Sequence, residues 1–161
     1  MQQPPTTDHS TTPAGKPDPQ RRAWMAVLAR ADAAEIARRL EALPPLPRHL
    51  RLRGPETGLV MVRGRQGGDG AAFNLGEMTV TRCTVRLEDG TIGHAYVAGR
   101  DARLAELAAT LDGALQDPAR GPALLEAVVA PLAAAQEARR AQVARKAAAT
   151  RVAFSTMATM R

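Results

Sequence analysis

Near the middle of the chain, Asp89-Gly90 separates two runs, Glu77 to Glu88 and Thr91 to Ala98, that read as strands. An Asp-Gly pair in this setting is a strong hairpin signal, because glycine accepts the positive φ that tight turns demand. The flanking runs are therefore expected to pair antiparallel, and a two-residue turn sets their register. In that register Leu87 faces Ile92, Val85 faces His94 and Cys83 faces Tyr96. Directly opposed residues share a sheet face, so these six side chains mark the covered face. Arg82 and Arg86 point the other way, beside Gly93, Ala95 and Val97, which leave room for something to lie against the two arginines.

More strands precede the hairpin. Leu50 to Arg53 reads as a short strand, and TGLVMVRGR (57–65) as one with apolar residues on both faces. A connection rich in glycine (Gly64, Gly67, Gly68, Gly70) leads to Phe73–Leu75, which resumes the chain before the long strand. The expectation is an antiparallel sheet of about four strands.

Helices flank it. Trp24, Val27, Leu28 and Ala31 fall at helical spacing. Asp32 then caps a second helix, with Glu35 as its capping-box partner and Ala33, Ile36, Leu40 and Leu43 as its stripe, stopped by Pro44, Pro45 and Pro47. Later, Asp101 is an N-cap before Leu104, Leu107, Ala108, Leu111 and Leu115. Asp117-Pro118 and Gly121-Pro122 break the chain before a further stripe of Leu124, Leu125, Val128, Val129 and Leu132. The fold class is α+β: N-terminal and C-terminal helices packed with an antiparallel sheet.

The 161 residues suit one domain. We divide them into a polar, proline-bearing tail expected to be disordered (1–18), an α+β domain (19–133) and a basic helical arm (134–161). The arm holds six basic side chains against Glu137, which is +5 of the chain's +6. Its alanine and arginine favour helix, yet its apolar face is weak, so it is expected to project or to dock on a partner. A basic arm can meet nucleic acid, an anionic membrane or an acidic protein. Aromatic residues are only 2% of the chain, too few for the stacking platforms of single-strand binders. No apolar run is long enough to cross a bilayer, the N-terminus lacks a secretory pattern, and a single cysteine fits a reducing cytoplasm.

Catalytic signals are weak. Arg63 and Arg65 beside Gly67 and Gly68 could cradle an anion, but a nucleotide loop would end in Gly-Lys-Ser/Thr before a helix; a flexible hairpin connection is the simpler reading. Cys83 and His94 lie diagonally on one face in the two-residue register, without a third group to orient them. His9 and His49 complete too small a set for a metal site. Glu56, Glu77 and Asp69 could form an acid–base pair, although surface pairing with arginines is simpler. Asp112, beside an apolar stripe, is a candidate buried or partner-facing carboxylate.

Five strings in order, RAWMAVLARA (22–31), PETGLVMVRGR (55–65), GGDGAAFNLGEMTVTRCTVRL (67–87), DGTIGHAYVAGRD (89–101) and KAAATRV (146–152), resemble the G subunit of bacterial carbon–phosphorus lyase, the PhnG family. The resemblance covers about residues 20–157. It implies an accessory, non-catalytic subunit of a cytoplasmic phosphonate-degrading complex that binds the I, H and J subunits. With the I, H and L proteins it supports synthesis of alpha-D-ribose 1-methylphosphonate 5-triphosphate from ATP and an alkylphosphonate. No cofactor is expected on this chain; ATP with Mg, and an iron–sulfur cluster with S-adenosylmethionine, belong to partner subunits. No catalytic residue and no metal site is expected here. Arg63, Arg65, Gly67, Gly68, Arg82 and Arg86 are candidates for anion or partner contact, and Arg151, Val152, Phe154 and Met157 for docking. The alternative is a nucleic-acid adaptor working through the basic arm.

Overall fold

The computed structural model describes residues 18–65 and 70–150. Helix α1 (Pro19–Leu28) starts at Asp18, whose side chain accepts from Gln20 N–H at 2.9 Å, with proline in its first turn. That position costs proline nothing, since the first amides of a helix have no partner. Helix α2 (Ala33–Leu40) starts at Asp32, which accepts from the amides of Ala34 and Glu35. The expected capping box does not close from its other side. The Glu35 carboxylate accepts from Arg39 at 2.8 Å, one turn along, where a full charge competes better than an amide.

Among the described residues the sheet has three antiparallel strands in the order β1-β2-β3, not about four. Strand β1 (His49–Arg65) absorbs both of its expected pieces, and β2 (Ala72–Leu87) absorbs Phe73–Leu75. Register shifts between Arg51 and Arg53 and between Arg53 and Glu56 carry β1 past Gly54-Pro55. Proline is tolerated there because β1 is an edge strand with bulges.

The hairpin from β2 to β3 (Ile92–Ala98) exists, but its register is one residue off the expected one. Leu87 N–H donates to Thr91 O at 2.9 Å and Gly90 N–H to Leu87 O at 3.0 Å, so three residues form the connection. Gly90 takes φ +89°, the left-handed residue that closes hairpins of this class. Val85 therefore opposes Gly93, Cys83 opposes Ala95 and Thr81 opposes Val97. A one-residue slip turns a whole strand over. Ile92, His94 and Tyr96 lie on the outer face with Arg82 and Arg86, while Gly93, Ala95 and Val97 are buried.

Those small inward residues admit helix α3 (Ala102–Leu115), capped by Asp101 accepting from Leu104 N–H. A Cβ on Gly93 would strike the Ala109 carbonyl and come within 2.7 Å of the Gly113 nitrogen. Helix α3 is buried nearly all round, between the sheet and the remaining helices. The core gathers Trp24, Leu28, Ile36, Val85, Leu111 and Val128. Helix α4 (Gly121–Leu124) continues through a π turn (Leu125–Val129) into α5 (Ala130–Ala149). Pro131 has no N–H to give and its ring crowds the turn before it; there Ala130 N–H reaches five residues back to Leu125 O.

Only one face of the sheet is covered by helix among the described residues. Beyond the end of β3, which pairs Ala98 with Val80, β1 and β2 run on as a two-stranded ribbon. Similarly, α5 leaves the body after Gln136, whose Nε2 donates to Val27 O at 2.9 Å. From Glu137 to Ala149 every residue except Ala141 is exposed. Of the tail expected at 1–18, residues 1–17 lie outside the described residues, and Asp18 is the ordered N-cap of α1.

The close approach of α3 makes a sharp contrast between glycines. Gly93→Ala should cost about 3 kcal/mol, because helix backbone must move. Gly76→Ala, with open space around its Cβ position, should change stability far less. Urea titrations followed by circular dichroism would compare the two.

Candidate functional site

The most organised polar feature is a carboxylate with no solvent exposure. Asp112, on α3, accepts from Arg21 Nε at 3.1 Å and from Arg21 Nη2 at 2.7 Å. It also accepts from Trp24 Nε1 at 2.9 Å and from the His94 backbone N–H at 2.9 Å. A buried carboxylate is tolerated only when its oxygens are fully satisfied, and here four bonds from two elements, α1 and β3, do so. Asp112 in turn raises the Arg21 guanidinium pKa through its hydrogen bonds. The neighbouring Gln116 Nε2 donates to Ile92 O at 3.0 Å. Asp112 was legible as a candidate buried carboxylate beside an apolar stripe, but its partners were not, since Arg21 and Trp24 lie far away in sequence.

Above this network a groove of about 1020 Å³ opens between α1, β3 and the start of α4. Its wall is largely apolar, from Met25, Leu28, Val97 and Leu125, with Tyr96 on the sheet side. The ion pair beneath it is fully engaged, so neither member is free for acid–base work.

A second cluster joins β1 to α3. Arg51 Nε donates to Glu106 Oε1 at 2.7 Å, and His49 Nε2 lies 3.0 Å from the same oxygen. Together Arg51 and His49 hold the Glu106 carboxyl below its ordinary 4.5. Thr110 Oγ1 is 3.4 Å from His49 Nδ1, an order that superficially resembles a catalytic relay. However, the Thr110 hydroxyl donates to Glu106 O at 2.9 Å and Thr110 is only 3% exposed, which leaves it unsuited to attack a substrate.

The other expected candidates separate. Cys83 and His94 fall on opposite faces, because of the register slip. Cys83 is buried, its thiol donating to Arg53 O at 3.5 Å, and burial pushes its pKa up, away from the nucleophilic thiolate. His94 Nδ1 lies 3.2 Å from Thr84 Oγ1 on the outer face. Glu56 is taken up by arginines: Arg53 at 2.9 Å and Arg82 at 3.2 Å, which hold its pKa low, Arg53 foremost.

Arg63 and Arg65 pair with Asn74 and Ala72 at the ribbon tip, whereas Arg82 and Arg86 stand over the body. The four arginines therefore do not gather: Asn74 and Arg82 are roughly 25 Å apart along β2, at about 3.3 Å per residue. Arg82 and Arg86 also have Tyr96 and Ile92 opposite them, not the small residues expected. The glycine segment joins two antiparallel strands; Gly67 and Gly68 themselves, with Asp69, lie outside the described residues. So do Arg151, Val152, Phe154 and Met157. Among the described residues no group of three or more His, Cys, Asp or Glu could hold a metal ion.

These features define an α+β protein with a one-sided sheet, a polar network engaged in structure, and apolar surface left over. The model of the family described as phosphonate metabolism protein PhnG matches residues 19–159. A protein of Rhizobium meliloti (strain 1021), named alpha-D-ribose 1-methylphosphonate 5-triphosphate synthase subunit PhnG, is 47% identical over 138 residues. That match spans 86% of this chain and 88% of the relative. The chain belongs to the PhnG family, a family of phosphonate metabolism.

Two outcomes follow from the polar clusters. Asp112→Ala, which strands a guanidinium, should cost about 3–5 kcal/mol, and Trp24→Phe about 1–2 kcal/mol, both read by urea unfolding. Glu106 has a depressed folded pKa, so its contribution is present above about pH 4.5 and fades as pH falls through the folded value. Glu106→Gln should lower the melting temperature at pH 7 and flatten its decline below pH 4.5.

Proposed function

We propose that this chain is an accessory, non-catalytic subunit of alpha-D-ribose 1-methylphosphonate 5-triphosphate synthase, within the cytoplasmic carbon–phosphorus lyase assembly. The observation that carries the reading is the 47% identity, over most of both chains, to a protein named as a subunit of that synthase. The side-chain chemistry agrees with it. Arg21, Glu56, Glu106 and Asp112 are engaged within the chain's own structure. The partners in this reading are the I, H and J subunits, acting with the L protein. ATP with Mg, and the iron–sulfur cluster with S-adenosylmethionine, are held by those partners, and this chain contributes none of them.

The role left to the chain is to bind and position. Its basic arm is the first contact we assign, with Phe154 and Met157 as apolar anchors flanked by Arg151 and Val152. Arg139, Arg140, Arg145 and Lys146 are exposed along α5 and would steer encounter with an acidic surface. The nucleic-acid alternative draws no support from the family assignment. No helix among the described residues is long and apolar enough to cross a membrane.

The test is co-expression of the tagged full chain with the I, H and J subunits, followed by capture. Recovery of all three is expected, and deletion of residues 150–161 should abolish it. Phe154→Ala should cost roughly 2 kcal/mol of binding if the ring fills a pocket. Replacing Arg139 and Arg140 by Gln should cost less and mainly change the salt dependence. Recovery of nucleic acid instead, with a steep loss of binding as salt rises, would reverse the reading.

A further inference from the structure

Where β3 stops, the sheet narrows to two strands. Leu59–Arg65 of β1 pairs with β2 residues 72–79, across a register shift between Val62 and Arg63. At about 3.3 Å per residue the ribbon reaches roughly 20 Å past the body. Its side chains are not those of a solvated hairpin. Leu59 is 63% exposed, Met61 52%, Leu75 62%, Phe73 46% and Met78 43%. Leu59 and Met61 oppose Thr79 and Glu77 on one face, while Val60 opposes Met78 on the other.

A two-stranded ribbon is marginal in water by itself, and exposed apolar residues grouped on one element mark an interaction surface. Resting on the subunit reading above, we propose that this ribbon is a second docking element, which inserts into an apolar groove of a partner subunit rimmed by carboxylates. Charge selects that occupant. Arg63 and Arg65 stand at the tip, and among the described residues neither has an acidic side chain as partner. A second copy would bring like-charged tips together in a chain already at +6. An acidic rim neutralises both arginines while the groove covers Leu59 and Met61. The flexible thioethers of Met61 and Met78 suit packing against a foreign surface.

The test compares wild type with Leu59→Lys/Met61→Lys and with Leu52→Lys, a comparably exposed change at the far end of β1. Each full-length chain is co-expressed with the I, H and J subunits and captured. Circular dichroism and melting should show all three folded alike, since the altered side chains are exposed. The proposal expects at least a tenfold loss of partner recovery for the ribbon variant and little loss for Leu52→Lys. In the wild-type complex, residues 57–65 and 72–80 should gain hydrogen-exchange protection over the free chain, an outcome that holds even if the ribbon variant fails to fold. Wild-type recovery with an undiminished ribbon variant and an unprotected ribbon overturns this proposal but leaves the subunit reading intact. No recovery by wild type overturns both. Flotation of the free chain on phosphatidylglycerol vesicles, lost in the ribbon variant while partner recovery persists, would assign the surface to lipid and also overturn it.

Discussion

A single carboxylate without solvent exposure ties α1 and the edge strand β3 to α3. Asp112 takes the guanidinium of Arg21 and the indole of Trp24 from α1, and the His94 amide from β3. Directed hydrogen bonds add to the packing of Trp24 and Leu28 in fixing how α1 lies against α3. The His94 amide points away from β2, on the open edge of the sheet. Satisfying it from a helix side chain, with Gln116 covering Ile92 O, blunts part of an edge that could otherwise pair with a foreign strand. The same contact thus orients a helix and protects a strand.

Around that point the molecule divides its surfaces by covering. The inner sheet face is buried beneath α3, which approaches closely because Gly93 has no side chain to hold it off. The outer face carries the Arg53–Glu56–Arg82 cluster with Ile92 and Tyr96. The ribbon and the exposed part of α5 depend least on the core. In such elements, local order is set by neighbours more than by their own burial. A subunit whose polar groups are spent on its own architecture, and whose extensions carry unspent apolar area, is suited to assembly.

Much of this plan was readable from the chain. The N-caps Asp32 and Asp101, the stripe of α3 and the antiparallel hairpin at Asp89-Gly90 rest on local physics, and they hold, whereas α2 ends at Leu40, before Leu43 and the prolines expected to stop it. The register did not follow, because Asp-Gly serves both two- and three-residue connections, and a difference of one residue inverts β3. The inward row of Gly93, Ala95 and Val97 makes sense only once α3 lies over it, and that is a tertiary fact. The two strand pieces at 50–53 and 57–65 are one strand, because on an edge Gly54-Pro55 costs only a bulge. Asp112 stood out as a charge beside an apolar stripe, but its partners depend on how α1 packs. The family resemblance, over about residues 20–157, falls within the family match at 19–159, whereas the contact residues assigned to the C-terminal end lie outside the described structure.

The π turn at Leu125–Val129 has a geometric consequence for α5. An α-helix advances about 100° per residue, so one residue more or fewer in this turn would swing everything after Pro131 by that angle. Leu124, ahead of the turn, would keep its place, whereas Leu132, buried in the core, would swing with Arg139, Arg140 and Val143. Insertion or loss of a single codon here would re-aim the extension without touching its own composition, but would pull Leu132 out of the core. The orientation of α5 is thus an angular setting held by one irregular turn.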